Sequence, residues 1–380
     1  MISDTARLGN RAAGGRATIA FMRPVLGILG FLILGYALVE LLWTTFLEGG
    51  APLVTRICQG LAKVFLSIHH RRRGRRTVIA AMGLFAVIST VLVWTMLIWV
   101  AWTLIYCAGE RALISTETRE PANAVARAYF AGYTIFTLGL GDYRPEGGFW
   151  QIVTSIAAGS GFLLFGLTIA YTVSVVSAAT QKRQLALCIW SLGRSPDDII
   201  LRAWNGMDTT ALGPHLVSLT AMLALLGESH LTYPVLHYFH STKRSSSVAA
   251  RVAALDEALT VLECGLQKGC SLDLPSLGAA RESITEFLQT LKPALIAPAA
   301  EVPPSPSLQA LRESGVPVVE DELFEAAVAA LAGRRKLLLA LVLNEGWTWD
   351  EVWPVKLLGL TPFRPNPAPD QSAPSGETNT

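Results

Sequence analysis

The stretch Tyr133-Thr-Ile-Phe-Thr-Leu-Gly-Leu-Gly-Asp-Tyr-Arg-Pro145 lies between two long apolar segments of a 380-residue chain. Two glycines separated by one residue are followed by aspartate, tyrosine and proline. Gly and Pro are the poorest helix formers, so this string is not the middle of a helix. Backbone at membrane depth that is not helical survives only where protein buries it or where it lines a water-filled path. The fold therefore turns on what brackets the string.

Three segments are long enough to cross a hydrocarbon core, which takes about 20 apolar residues. They are Pro24 to Leu47, with Glu40 as its one ionisable residue, Thr77 to Tyr106, and Phe149 to Ala179. The second carries Trp94, Trp99 and Trp102 toward its far end, the place of an interfacial aromatic belt. The third is rich in Gly, Ser and Thr, which suits close packing of helices in lipid. The first is too long for the apolar core of a signal peptide, and no A-x-A site follows it, so it reads as a retained span. Charged residues make up only 16% of the chain and apolar ones 51%, against roughly 25% charged in soluble proteins.

Basic residues set the orientation. Arg56, Lys63, Arg71, Arg72, Arg73, Arg75 and Arg76 lie between the first two spans with Glu48 as the only acid, whereas acids outnumber bases between the second and third. The first loop is then cytoplasmic and the glycine string is reached from outside. The chain is expected in the cell membrane as a multi-pass protein. Three spans place the N-terminus outside, although Arg7, Arg11, Arg16 and Arg23 precede the first. Arg71 to Arg76 abut a span and read as an anchor on anionic lipid head groups, not as a nucleic-acid site. Their contiguity also differs from the three-residue spacing of a voltage sensor. Upstream, Pro52 to Ile68 forms a basic amphipathic helix suited to the inner membrane surface, with Arg56, Gln59 and Lys63 on one face.

Between the second and third spans, Pro121 to Phe136 reads as a short helix of about 21 Å, too short to cross. The chain dips in as a half-helix and returns through Thr137 to Asp142. The C-terminal end of such a half-helix favours a cation at the bilayer centre. Glycines let the returning strand turn successive carbonyl oxygens to one side, and rings of carbonyls replace the hydration shell of a potassium ion. Thr137-Leu138-Gly139-Leu140-Gly141-Asp142 resembles the T-V-G-Y-G-D signature of potassium-channel filters, with Thr134 and Thr137 fitting its T-x-x-T pattern. The wording around it is most similar to the second pore loop of two-pore-domain potassium channels. The resemblance covers Thr77 to roughly Arg183.

The resemblance implies a homotetramer around a central pore that passes K+ without a cofactor or a chemical step, hence no enzyme. Ions would bind at Thr137, Leu138, Gly139, Leu140 and Gly141, with Asp142, Thr134 and Tyr133 supporting the filter. Leu140 stands where the family usually has Tyr or Phe. It keeps volume but loses a hydrogen bond, for which Tyr129, Tyr133 and Thr134 are the candidate partners. Gly161, with Gly159 and Gly166 as rivals, is the candidate inner-helix hinge; packing of small residues is the other reading.

From Lys182 onward the sequence is soluble-like and mostly helical, with helical apolar spacing over Val248 to Leu266 and Asp321 to Asn344. Leu192 to Asp198 offers a turn and a helix start. Ala297 to Ser307 is a Pro-rich linker dividing this half, and Arg364 to Thr380 a disordered tail. Neither a G-x-G-x-x-G nucleotide unit nor a cyclic-nucleotide domain is evident. His237 and His240 sit at i, i+3, a spacing open to metal, to pH sensing or to ordinary packing. The cysteines form no CxxC pair; Cys107 alone falls on the outer side, where an intersubunit disulfide is open, and the other four are expected to be reduced thiols.

The fold expected is all-α: an integral membrane, potassium-channel-like pore domain of three transmembrane helices plus a re-entrant pore helix, with a mostly helical cytoplasmic C-terminal domain. Its boundaries are 1–48 for the N-terminal segment and first span, 49–76 for the interface segment and 77–182 for the pore domain. The pore domain divides into outer helix 77–106, pore helix 121–136, filter 137–142 and inner helix 149–179. The rest divides into 183–296, linker 297–308, helical segment 309–363 and tail 364–380. The function expected is a passive potassium channel gated by a cytoplasmic domain of unknown ligand. The alternatives are a poorly selective cation channel and a non-conducting membrane-anchored adaptor.

Overall fold

A computed structural model describes residues 2–71, 76–267, 270, 273–291 and 297–353. The tail, and the side chains of the Arg71–Arg76 run assigned to lipid, lie outside the described residues. Helix α1 (Ile2–Phe46) starts well before the expected span and runs through Pro24. It packs on α3 (Arg76–Ala108) through small residues: a Cβ on Gly27 would come to 3.0 Å of the Ala108 Cβ, and one on Gly30 to 2.8 Å of the Ala101 carbonyl. Arg23 pairs with Glu110 at 2.6 Å, so the start of the first span and the end of the second share one face. Between them Gly49 and Gly50 turn the chain at φ of 86° and 63° into α2 (Pro52–Arg71). Buried Glu40 explains itself here. Its carboxylate accepts from the Leu53 N–H at 3.2 Å, occupying one of the orphan donors that open α2.

The re-entrant segment is clipped at its base. Strand β1 (Leu113–Ser115) pairs antiparallel with β2 (Tyr143–Pro145), and between them lies α4 (Ala124–Ile135). The pore helix thus begins three residues later than expected. Pro121 sits in a bridge to Ile114, and Asn123 provides the cap, its side chain accepting from the Ala126 N–H at 2.9 Å. Twelve residues give about 18 Å, again too short to cross. Next, α5 (Gly148–Leu192) runs unbroken for 45 residues, roughly 68 Å, so the inner helix does not end at Ala179. Its last turns enter the C-terminal domain.

The aromatic belt expected at Trp94, Trp99 and Trp102 is corrected by packing. Trp94 and Trp102 are buried inside the protein. Trp94 meets Tyr171 at 5.5 Å between ring centroids, while the indoles of Trp99 and Trp102 donate to the Ala128 carbonyl and the Ser160 hydroxyl. An indole N–H with an internal acceptor has no need of the lipid interface.

The C-terminal domain is helical: α6 (Pro196–Ala203), α7 (Gly213–Thr232), α8 (Val248–Cys264), α9 (Leu274–Leu291), α10 (Gln309–Glu313), α11 (Asp321–Ala330) and α12 (Ala332–Asn344). Helix α8 is its axis, buried at every residue from Val248 to Leu262. The acids it carries inside are paired, Asp256 with Arg281 at 2.9 Å and Arg334 at 2.6 Å and Glu257 with Arg335 at 2.8 Å, while buried Arg251 donates to the Arg194 and Glu351 carbonyls. The Pro-rich segment does not separate two bodies. Pro303 and Pro304 carbonyls accept from Arg335, and one apolar core joins Leu185 of α5 to Val352. Helix α7 is a fourth helix long and apolar enough to cross a membrane. Its leucines 216, 219, 223 and 226 instead belong to this domain core, and its end reaches the α1–α2 turn, where the Gly49 N–H donates to the Leu231 carbonyl.

Candidate ion-conducting site

In the returning strand Thr137, Gly139 and Gly141 have φ of 56°, 59° and 85°, whereas Leu138 and Leu140 between them stay on the ordinary negative side. Alternation of positive and negative φ along a strand is the pattern that can turn successive N–H groups to one side and carbonyls to the other. The carbonyls of Thr137, Leu138, Gly139 and Leu140 accept no hydrogen bond among the described residues. A strained φ at Thr137 is the kind of backbone state that only its surroundings maintain.

Those surroundings are visible. The strand leaves α4 through the Thr137 and Leu138 N–H groups, which donate to the carbonyls of Thr134 and Tyr133 at 3.0 and 2.8 Å. The Tyr129 hydroxyl donates to the Asp142 carboxylate at 2.9 Å, and the Tyr133 hydroxyl to the Tyr143 carbonyl at 2.9 Å. On the other side Thr116 closes the string, its hydroxyl donating to the Gly141 carbonyl at 2.6 Å and its N–H to that of Asp142 at 2.9 Å. Tyr133 and Asp142 are thus joined to the strand's end by the brace; Thr134 is buried at its start. Leu140 takes no part, and its side chain, like that of Leu138, is more than half exposed in the single chain.

Two residues escaped the sequence reading. Thr116 belongs to an unremarkable polar loop and finds Gly141 only through the hairpin. Arg127 resembles any helix-surface arginine, yet it is buried and donates to the carbonyls of Ala122, Tyr106 and Glu110, tying the end of α3 to the start of α4. At the mouth the Arg111 guanidinium holds the Glu146 carboxyl below the usual range.

Of the hinge candidates, Gly161 is where α5 receives the pore helix: a Cβ there would strike the Ile135 carbonyl. Its glycine serves close approach. Nothing surrounds Gly159 or Gly166 within 4 Å of an added Cβ, and α5 stays helical at all three. His237 stands 5.0 Å from His230 by ring centroids, and the Nδ1 of His240 is buried without a partner. Burial, with Lys182 adding to it, pushes His237 and His240 down to about 4. Among the described residues no three potential ligands converge on a metal. The five cysteines are free thiols.

Below the pore, Lys182 of α5 pairs with Glu345 at 2.9 Å, both side chains buried, and donates to the Phe239 carbonyl at 3.1 Å. Glu345 also accepts from the Ser247 hydroxyl at 2.8 Å, so one carboxylate ties the inner helix to α8.

A family model described as "Ion channel" matches residues 83–178, which hold the outer helix, the pore loop and the membrane part of α5. The uncharacterized membrane protein YdjJ of Bacillus subtilis (strain 168) is 36% identical over 328 residues, covering 85% of this chain and 94% of its own. No solved structure matches the chain.

Proposed function

We propose, for a chain that belongs to the potassium-channel pore-domain family, that it assembles as a homotetramer and conducts K+ passively through its Thr137–Gly141 strands. The observation that carries this reading is the run of four carbonyls without a hydrogen bond among the described residues, on a backbone whose φ alternates in sign. Unsatisfied carbonyls at membrane depth cost several kcal/mol each unless water or an ion meets them. Four strands around an axis would supply rings of oxygens that replace a potassium ion's hydration shell. Asp142, Tyr129, Tyr133 and Thr116 hold the strand from behind, and Thr134 anchors its start. The mouth faces outward and the C-terminal domain the cytoplasm, which follows from the basic first loop. Movement of that domain would reach the pore through Lys182 and the continuous α5.

One observation favours weaker selectivity as the second reading. Leu140 makes no hydrogen bond to the brace, so the strand's middle is held only from its two ends. Crosslinking of the purified full chain in mild detergent, with K+ flux measured on the same preparation in liposomes, tests the assembly. The ladder should stop at four subunits; a monomer or dimer that conducts would contradict the proposal.

A further inference from the structure

Where the membrane part meets the C-terminal domain, a cavity of about 200 Å³ opens between the Gly49 turn, α2, the end of α7, the turn at Pro234–Tyr238 and the end of α9. Its walls are mostly apolar, with Cys58, Leu231 and Pro234 among them. The polar groups that face it lean toward accepting. His230 Nδ1 lies 2.9 Å from the Leu226 carbonyl and so donates there, which leaves Nε2 as a bare acceptor. The hydroxyls of Thr55 and Thr290 already donate to the Ala51 and Phe287 carbonyls, at 3.2 and 2.7 Å, and offer only lone pairs. The side chains of His237, Gln59 and Tyr238 make no hydrogen bond among the described residues and can each donate as well as accept, so acceptors outnumber donors without excluding them.

Charge narrows the occupant further. Among the described residues no Asp, Glu, Lys or Arg lines the cavity. The charged pair Lys182 and Glu345 lies behind His230 and His237, where the four residues share the lining of a second cavity of about 20 Å³. That pair is satisfied by itself, Phe239 and Ser247. Among the described lining residues a cation would find no carboxylate and an anion no ammonium or guanidinium. With burial and Lys182 pushing it down to about 4, His237 is a neutral ring near pH 7. The volume exceeds the roughly 150 Å³ that holds benzene in an engineered core and falls short of the ~300–1,000 Å³ of drug-sized pockets.

We infer that this cavity is a binding site for a neutral molecule of about one ring in size that carries a hydrogen-bond donor. Such a ligand would sit against His230 and His237, one side-chain layer from Lys182 on α5. Any effect on the pore rests on the channel reading; the binding itself does not.

Phenol is the probe, with toluene, benzoate and benzylammonium as comparators, on the full chain in detergent. Phenol should raise the unfolding temperature saturably by a few degrees, with toluene weaker and the two ions without saturable effect. Thr55→Trp, which fills the cavity, should erase the phenol response. Should that variant fail to fold, Cys58 provides the second measurement, because it lines the cavity. Phenol should slow its alkylation by N-ethylmaleimide at least threefold, with the partly exposed Cys264 unchanged, as read by peptide mass spectrometry. A phenol response no larger than that of toluene or benzoate, a full response in Thr55→Trp, or an unprotected Cys58 overturns the assignment.

Discussion

Helix α8 and the membrane half of α5 are both apolar and alanine- or glycine-rich, yet they meet opposite fates. The whole of α8 from Val248 to Leu262 is enclosed by its own chain, and its buried acids find arginines from α9 and α12. The upper part of α5 leaves Phe162, Ile169 and Val173 more than 60% exposed, and beside it Leu138 stands uncovered. One region completes itself. The other presents an apolar face and unbonded carbonyls that lipid, ions and further copies of the chain would complete. A domain closed by internal charge pairs is hard to perturb except by breaking a pair. A pore strand left open on one side is sensitive to single backbone changes that leave stability almost untouched.

Gly141→Ala breaks the comparison most directly on the pore side. There is open space for a Cβ at Gly141, so the cost is the left-handed φ of 85°, about 1–2 kcal/mol, spread over a strand whose carbonyl direction depends on it. K+ flux should vanish while expression holds and the unfolding temperature falls by no more than a few degrees. Flux like wild type would mean that the strand does not conduct. On the domain side, Arg335→Met leaves Glu257 buried without its partner and removes two bonds to the Pro-rich segment. Breaking such a pair costs about 3–5 kcal/mol, readable as a lower unfolding midpoint in denaturant. A loss under 1 kcal/mol would show the pair to be dispensable.

Acid sharpens the contrast at the junction. His240 sits near 4 in the folded protein against an ordinary value near 6.5, because burial disfavours its charge; Glu345 partly offsets this and Lys182 adds to it. The unfolded chain then takes up a proton that the folded one refuses. Stability contributed by the neutral ring is therefore complete above pH ~6.5 and falls as pH drops toward ~4, by about 1–3 kcal/mol. The unfolding temperature should decline across that window, and His240→Gln should flatten part of the decline. A profile that is flat, or that rises on acidification, would remove the junction histidine from the account.

The smallest effect expected is at Leu140. Leu140→Tyr adds a phenol that can regain one hydrogen bond to the pore helix, worth about 0.5–1.5 kcal/mol, or roughly two- to twelvefold in K+ preference over Na+. Tyr129 and Tyr133 already bond Asp142 and the Tyr143 carbonyl, so the gain should lie at the low end. Bi-ionic reversal potentials measure it. A mutant unchanged or worse, beside a strongly selective wild type, would mean that the two end braces suffice.

The pore was legible because its signals are local. A glycine string between apolar runs of bilayer length, preceded by a segment too short to cross, needs no long-range knowledge to be recognised. What escaped depends on partners far away in sequence. Strands of three residues containing Arg144 and Pro145 carry no alternating pattern, so the hairpin clip and its gift of Thr116 to Gly141 were hidden. Pro121 looked like a helix start, and Asn123 two residues later proved the better cap. Trp94 and Trp102 lie toward the far end of the second span in sequence but face Tyr171 and Ser160, a choice that composition does not record. Proline content suggested a linker between Ala297 and Ser307, because nothing nearby shows that Arg335 of α12 reaches its carbonyls. The unbroken passage of α5 into the domain was likewise masked by Gln181-Lys182-Arg183, a polar trio with two charges that looks like the end of a span, whereas Lys182 turns inward to Glu345.

The most direct test is ion flux from liposomes holding only the purified protein, with outward gradients of K+ and of Na+ compared on the same preparation. K+ flux should exceed Na+ flux and disappear in Gly141→Ala. Vesicles that release neither ion, or that release both equally and do so unchanged in the glycine variant, would contradict the channel reading.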